Sequence, residues 1–97
     1  MLSILLLSRA EQDIAEARDW YEERNSGLGR DFLSAVDATM SRVAERPLAF
    51  PEVHGPTRRA VMRRFPYGIY YRIVGQQIVV LAVMHGRRHP RRWRQRR

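Results

Sequence analysis

The chain contains no cysteine, which removes a disulfide framework and every thiolate metal site from consideration. It contains no lysine either, since all 18 basic residues are arginine. An arginine stays protonated and cannot act as a base, so chemistry that needs a titrating amine finds no side chain to supply one. Long apolar runs are missing as well. The longest near the start, Ile4 to Leu7, lies between Ser3 and Ser8. That is too short to cross a bilayer, or to form a signal-peptide core with no basic residue before it. Nothing in the sequence requires export, and a cytoplasmic location without membrane association is expected. The three histidines are scattered without ligand spacing, so no metal and no other cofactor is expected.

Acids are missing from half of the chain. All ten lie between Glu11 and Glu52; residues 1–52 also carry six arginines, for a net −4, whereas residues 53–97 carry twelve arginines and no acid, for +12. An asymmetry of this size points the second half at something anionic. With 97 residues of which 44% are hydrophobic, residues 1–97 suffice for a single domain with one modest core.

Hydrophobic periodicity divides that domain. Residues 1–7 read as a strand, Leu2 to Leu7 being apolar enough for burial on both faces. Residues 8–46 read as a helical hairpin. Ser8-Arg9-Ala10-Glu11 has the form of a capping box. Ala10, Ile14, Ala17 and Tyr21 follow at helical spacing, with Trp20 beside them and Arg18, Glu22 and Glu23 facing water. Asn25-Ser26-Gly27 breaks this helix. Leu28, Phe32, Ala35, Val36, Met40 and Val43 line one face of a second, which Pro47 ends. So short a connection makes the pair antiparallel.

Phe50 to Pro56, with two prolines and a glycine, reads as a loop. Residues 57–85 read as strands. Thr57 to Arg64 is the first; Phe65, Tyr67, Ile69, Tyr71 and Ile73 then alternate with Pro66, Gly68, Tyr70, Arg72 and Val74. Gly75-Gln76-Gln77 turns the chain into Ile78 to Met84, a continuous apolar run expected to be the central strand. Residues 86–97 form a basic tail with one aromatic, Trp93, and Pro90 as a candidate helix start. The fold class is therefore α+β: an N-terminal strand, an antiparallel two-helix hairpin, a mainly antiparallel three-strand meander, and a short C-terminal basic tail.

These residues resemble a known family. Asp13-Ile14…Ala17…Trp20-Tyr21 on the first helix is similar to the ParE branch of the RelE/ParE toxins, as is Gly27-Leu28-Gly29…Phe32 opening the second. Arg63-Arg64-Phe65-Pro66-Tyr67, continuing through Ile69, Tyr70 and Tyr71, resembles their third-strand signature. His85…Arg88…Pro90…Trp93 resembles their closing motif. The resemblance implies a helical hairpin packed on a curved sheet, and a growth-inhibitory toxin of a type II toxin–antitoxin system of the plasmid-stabilising kind. It also implies a hetero-oligomer with a cognate antitoxin, whose acidic, amphipathic C-terminal segment wraps the toxin. The family divides over its target: ParE-like members poison DNA gyrase, and RelE-like members cut messenger RNA on the ribosome.

The arginines are the first candidate site. Arg58, Arg59, Arg63 and Arg64 border one strand and Arg87 and Arg88 follow the last, with no acid near them in sequence. Strand pairing is expected to gather these six near one sheet edge as a target-binding patch, with Trp93 close behind. Such a patch suits phosphates or an acidic protein face. His85 is the candidate catalytic residue, because cleavage of RNA through its 2′-hydroxyl needs a base, an acid and a cation. A lone histidine at a strand end is more often structural, and His54 in the proline-rich loop has no assigned role. Trp20, Tyr21, Phe65, Tyr67 and Tyr71 read mostly as core rather than as a base-stacking platform. On the face away from the helices, Tyr70, Arg72 and Val74 are the candidate antitoxin contacts: an amphipathic helix would dock there and an adjoining segment would add to a sheet edge.

Three functions stay open at this stage. Gyrase inhibition by binding is the leading one, since RelE-like nucleases resemble one another in lysines and a late tyrosine. This chain has no lysine, and Trp93 stands where the tyrosine would be. The second is a ribosome-dependent endoribonuclease using His85 with Arg63 or Arg64 and Arg87 or Arg88. The third is a nucleic-acid-binding module without toxicity, whose affinity would fall steeply with salt.

Overall fold

In the computed structural model, which describes residues 2–86, a hairpin of two helices covers one face of a five-stranded sheet. The elements run β1 (Ser3–Leu6), α1 (Ser8–Arg24), α2 (Leu28–Glu45), β2 (Glu52–His54), β3 (Thr57–Val61), β4 (Tyr67–Val74) and β5 (Gln77–His85). Their order across the sheet is β1-β5-β4-β3-β2. The strands from β2 to β5 form an antiparallel meander, and β1 returns parallel to β5. The α+β class and the mainly antiparallel sheet are as expected, with one strand more than the sequence reading allowed.

Four local expectations are corrected. The segment from Phe50 to Pro56 is not wholly a loop, since Glu52–His54 pairs with β3 as a short edge strand. The apolar run of β5 is interior, but the middle position belongs to β4. β1 is an edge strand, with Ile4 and Leu5 left 38% and 43% exposed and Leu7, just beyond it, 39%; its apolar content does not reflect burial on both faces. The capping box does not form either. Ser8 is already helical, Leu7 is the cap residue, and no side chain bonds there.

The core lies between the hairpin and the sheet. Phe32, Val36 and Val43 of α2 pack with Ile69 and Tyr71 of β4 and with Ile78, Val80 and Val83 of β5. α1 presents only Ala10 and Ala17 as its fully buried apolar residues, which lets it lie close over β5. Burying a side chain the size of Phe32 stabilises such a domain by about 2–3 kcal/mol.

The hairpin turn is built by its glycines and one acid. Gly27 takes φ 91° as the cap residue of α2, a conformation that costs a side-chain-bearing residue. A Cβ on Gly29 would meet the backbone oxygen of Arg18 at 2.9 Å, so only glycine lets the helices approach there. Glu22, expected merely to face water, accepts the backbone N–H of Gly27 at 3.1 Å and of Gly29 at 3.0 Å. Its carboxylate thus satisfies free donors at the positive end of α2. Those two bonds hold its pKa below the ordinary carboxylate value.

β5 holds an irregularity that shapes the sheet. Tyr70 faces Ala82 but Tyr71 faces Val80, leaving Leu81 as the extra residue of a β-bulge. Ile78 and Val80 therefore face the helices before the bulge, and Val83 faces them after it. Ala82 and Met84 point the other way, into a second apolar cluster, so both faces of β5 are covered and the run from Ile78 to Met84 shows no alternation in sequence.

Candidate functional site

One end of the sheet gathers the motif residues. The bend at 63–66 leads into β4, and the last residue of β5, His85, is the cross-strand partner of Tyr67. The Gly86 N–H donates to the carbonyl of Pro66, closing the bend against the end of β5. His85 is half-buried, its ring meeting that of Tyr67 edge-on at 5.3 Å. Tyr67 in turn packs on Phe32 at 5.2 Å and Tyr21 at 6.2 Å. An aromatic series therefore runs from the core to His85 and fixes the ring by packing.

Arg63 and Arg64 are both exposed in the bend beside this end. The guanidinium of Arg64 lies 5.4 Å from the Phe65 ring centre and 3.8 Å from the carboxylate of Asp31. Both ends of that ion pair stand largely in water, where such a pair contributes little and leaves the arginine free to exchange partners. The chain continues from Gly86 toward Arg87, Arg88 and Trp93. Those three expected contacts lie outside the described residues.

Arg58 and Arg59 do not join them. They are successive residues of β3, so their side chains leave on opposite faces. Arg58 donates to the carbonyls of Phe50 at 2.6 Å and Leu48 at 3.3 Å, and pairs with Glu52 at 3.7 Å. The expectation that no acid neutralises it is corrected, because β2 carries Glu52 back alongside β3. Arg58 anchors the loop before β2, helped by the Tyr71 hydroxyl, which donates to the Pro47 carbonyl at 2.6 Å. Burial raises the Tyr71 pKa, opposed by the positive charge of Arg58. Arg59, on the other face, lies along Gly68, where an added Cβ would come within 3.1 Å of its Cγ.

The face away from the helices also differs from expectation. Tyr70 is 2% exposed, packed with Ala82, Met84, Val53 and Leu81 in a second apolar cluster, and is not an open contact. The bulge brings Ala82 directly opposite it. Arg72 is half-buried, its Nε donating to the Thr57 hydroxyl at 2.8 Å, and Val74 is exposed beside the β4–β5 turn.

Trp20, assigned to the core by its neighbours in sequence, is 48% exposed. The Arg24 guanidinium sits 3.5 Å from its ring centre, held there by donating to the Trp20 carbonyl at 3.1 Å. Asp13, noted in the sequence only as part of the first-helix motif, has a structural role that the sequence did not assign. It is buried, and one carboxylate oxygen accepts the Val83 N–H at 3.0 Å. The signal was an acid inside the apolar stripe of α1, between Ala10 and Ala17. Among the described residues, no group of three histidines, cysteines or acids is placed to hold a metal ion. Chemically, this end of the sheet offers exposed, permanently charged arginines and a single imidazole on an aromatic base, a surface suited to holding an anionic partner.

Residues 4–90 match the family model described as ParE toxin of type II toxin-antitoxin system, parDE. The chain is 32% identical over 81 residues to Toxin ParE2 of Mycobacterium tuberculosis, which covers 82% of this chain and 77% of that protein. The fold is similar to a chain of the chromosomal ParDE toxin–antitoxin system of P. aeruginosa, with a TM-score of 0.66 at 20% identity, covering 88% of this chain and 96% of the other. It is similar also to a chain of the toxin–antitoxin complex RelBE2 of Mycobacterium tuberculosis, with a TM-score of 0.60 at 21% identity, covering 87% and 96%. At those identities the structural likeness is one of fold.

Proposed function

The chain belongs to the ParE toxin family of type II toxin–antitoxin systems, and from that premise we propose that it inhibits DNA gyrase by binding it in the cytoplasm, with an acidic antitoxin as its neutralising partner. The observation that carries the choice of target is chemical. The described motif end of the sheet carries two exposed arginines in the bend before β4 and a single imidazole at the end of β5, and the chain has no lysine to take part in acid–base work. Arg63 and Arg64 are the proposed contacts from the described residues, and Arg87, Arg88 and Trp93 extend the proposal along the chain. Arg72 and Val74 remain the proposed antitoxin contacts.

The test is supercoiling by gyrase of the host, titrated with toxin released from its antitoxin. Inhibition with accumulated cleaved DNA, reversed by adding antitoxin, is the expected result. Folded toxin that leaves gyrase untouched but cuts messenger RNA on ribosomes would replace this reading with the nuclease one.

A further inference from the structure

Among the described residues, one buried side-chain nitrogen has no hydrogen-bond partner, the Nε of Arg59. Buried polar groups are normally bonded, and a charged one left unanswered costs more than a neutral one. The ion pairs of the described residues belong to Arg18, Arg24, Arg58 and Arg64, so no acid answers Arg59. Its neighbours show that the fold can supply partners. Arg58 has Glu52 and two carbonyls, and Arg72 has the Thr57 hydroxyl.

The side chain is also deliberately placed. Arg59 is the cross-strand partner of Tyr70, and Val61 that of Gly68. The stem of Arg59 leans two residues along β4 to Gly68, where an added Cβ would come within 3.1 Å of its Cγ and 3.2 Å of its Cδ. Gly68 is not among the glycines of positive φ, so its bare Cα serves here to make room and not to permit a turn. The lean is toward the bend of residues 63–66, where Arg63 and Arg64 are exposed. Three guanidiniums thus stand near one end of the sheet, one of them laid in a cradle on the face away from the helices.

The terminal nitrogens of Arg59 bond nothing among the described residues and reach the surface, since its Nε alone is buried without a partner. They form a planar fork that matches two oxygens of one oxyanion. Setting the group partly out of water strengthens its pull on such an anion. Cations spread from a sheet face to a bend favour a partner that repeats its charge at fixed intervals. A nucleic acid backbone does so, and residues 53–97 hold no acid to oppose it. Resting on the reading of the chain as a gyrase inhibitor that acts by binding, we infer that Arg59 holds a phosphodiester of the DNA in the gyrase complex. The toxin then touches DNA as well as protein, and Gly68 is the positioning residue for that contact.

The test is the affinity of antitoxin-free toxin for a fluorescent DNA duplex, read by anisotropy across a salt series, beside supercoiling assays. Arg59→Met keeps most of the stem and removes the charge. It is expected to weaken DNA binding about tenfold, the effect of one or two charge-assisted hydrogen bonds. The slope of log K against log salt should fall by about one. Its Tm should not drop, because the guanidinium bonds nothing in the described fold. Gly68→Ala keeps every charge but displaces the stem, and should weaken binding too. Arg24→Gln, which removes a charge from the exposed side of α1, should stay near wild type. DNA affinity unchanged in Arg59→Met, with gyrase inhibition retained, would overturn the inference and leave the gyrase reading intact. Unchanged DNA affinity with lost inhibition would overturn it in favour of an acidic face of gyrase. Equal losses in Arg59→Met and Arg24→Gln would reduce the effect to overall charge and overturn it as well. Folded wild type that leaves gyrase untouched would remove the gyrase reading, and the inference about its DNA with it.

Discussion

The carboxylate of Asp13 on α1 accepts the backbone N–H of Val83 on β5 at 3.0 Å, in a buried position and across 70 residues of sequence. Val83 lies two residues beyond the bulged Leu81, where the pairing with β4 has just shifted. The bond thus ties the hairpin to the irregular part of the sheet. Replacing Asp13 by Ala leaves a buried amide without this acceptor and should cost about 2–3 kcal/mol, whereas Asp13→Asn, which keeps an acceptor, should cost about 1 kcal/mol. Urea denaturation of the antitoxin-free toxin measures both. An Ala variant as stable as the wild type would mean that the bond contributes nothing to holding the bulge.

Glu22 ties the other end of the hairpin, and its effect depends on pH. Its folded pKa lies below the ordinary 4.5 because it accepts the N–H groups of Gly27 and Gly29. A carboxylate depressed on folding contributes stability that is present above the unfolded value and lost as pH falls through the folded one. Glu22→Gln, neutral at every pH, should therefore lower Tm at pH 7, and the gap between variant and wild type should narrow as pH falls below the ordinary carboxylate value and Glu22 takes up its proton. Thermal melts at pH 7 and pH 3 decide it. A gap of the same size at both would show that charge on Glu22 is irrelevant to the turn.

How much of this was legible in the sequence follows from the range of each interaction. The helical stripe from Leu28 to Val43 and the alternation from Tyr67 to Ile73 are local patterns, and both survive in the fold. The bulge at Leu81 left no trace, because a run apolar on both sides of it has no phase to lose. β1 was misread for a related reason: an edge with apolar residues exposed on both faces carries the same composition as a strand buried on both. At the candidate site, the pairing of Tyr67 with His85 was legible from the β4–β5 hairpin, and it carries the bend of residues 63–66 to the end of β5. The diversion of Arg58 was not, since it depends on where the loop carbonyls of Leu48 and Phe50 come to rest.

That division between arginines yields a contrast that one assay can read. Arg63→Glu combined with Arg64→Glu should weaken gyrase inhibition tenfold or more, yet change stability by only about 0.5 kcal/mol, as expected for exposed positions. Arg58→Ala should do the reverse. It strands the Phe50 and Leu48 carbonyls and should cost about 1–3 kcal/mol, with inhibition by the remaining folded protein near that of wild type. Supercoiling titrations normalised to folded toxin separate the two effects. If Arg58→Ala abolished inhibition in folded protein while the double Glu variant inhibited normally, the working surface would lie around β3 and not at the bend.

His85 decides between a toxin that binds and one that cuts. Positioned acid–base catalysis is worth roughly 10²–10⁴-fold in rate, so a catalytic His85 would announce itself by a loss of that size on replacement by Ala. A His85 held mainly by its edge contact with Tyr67 at 5.3 Å would cost about 0.5–1.5 kcal/mol in stability and little in potency. The expected outcome for His85→Ala is therefore a lowered Tm, inhibition of gyrase within about threefold of wild type, and retained antitoxin binding. Measuring potency and melting on one preparation separates the cases, because a purely structural change moves potency only through the unfolded fraction. A drop beyond about a hundredfold in a variant that still folds and still binds antitoxin would assign the imidazole a chemical role, and would move the target from gyrase to RNA.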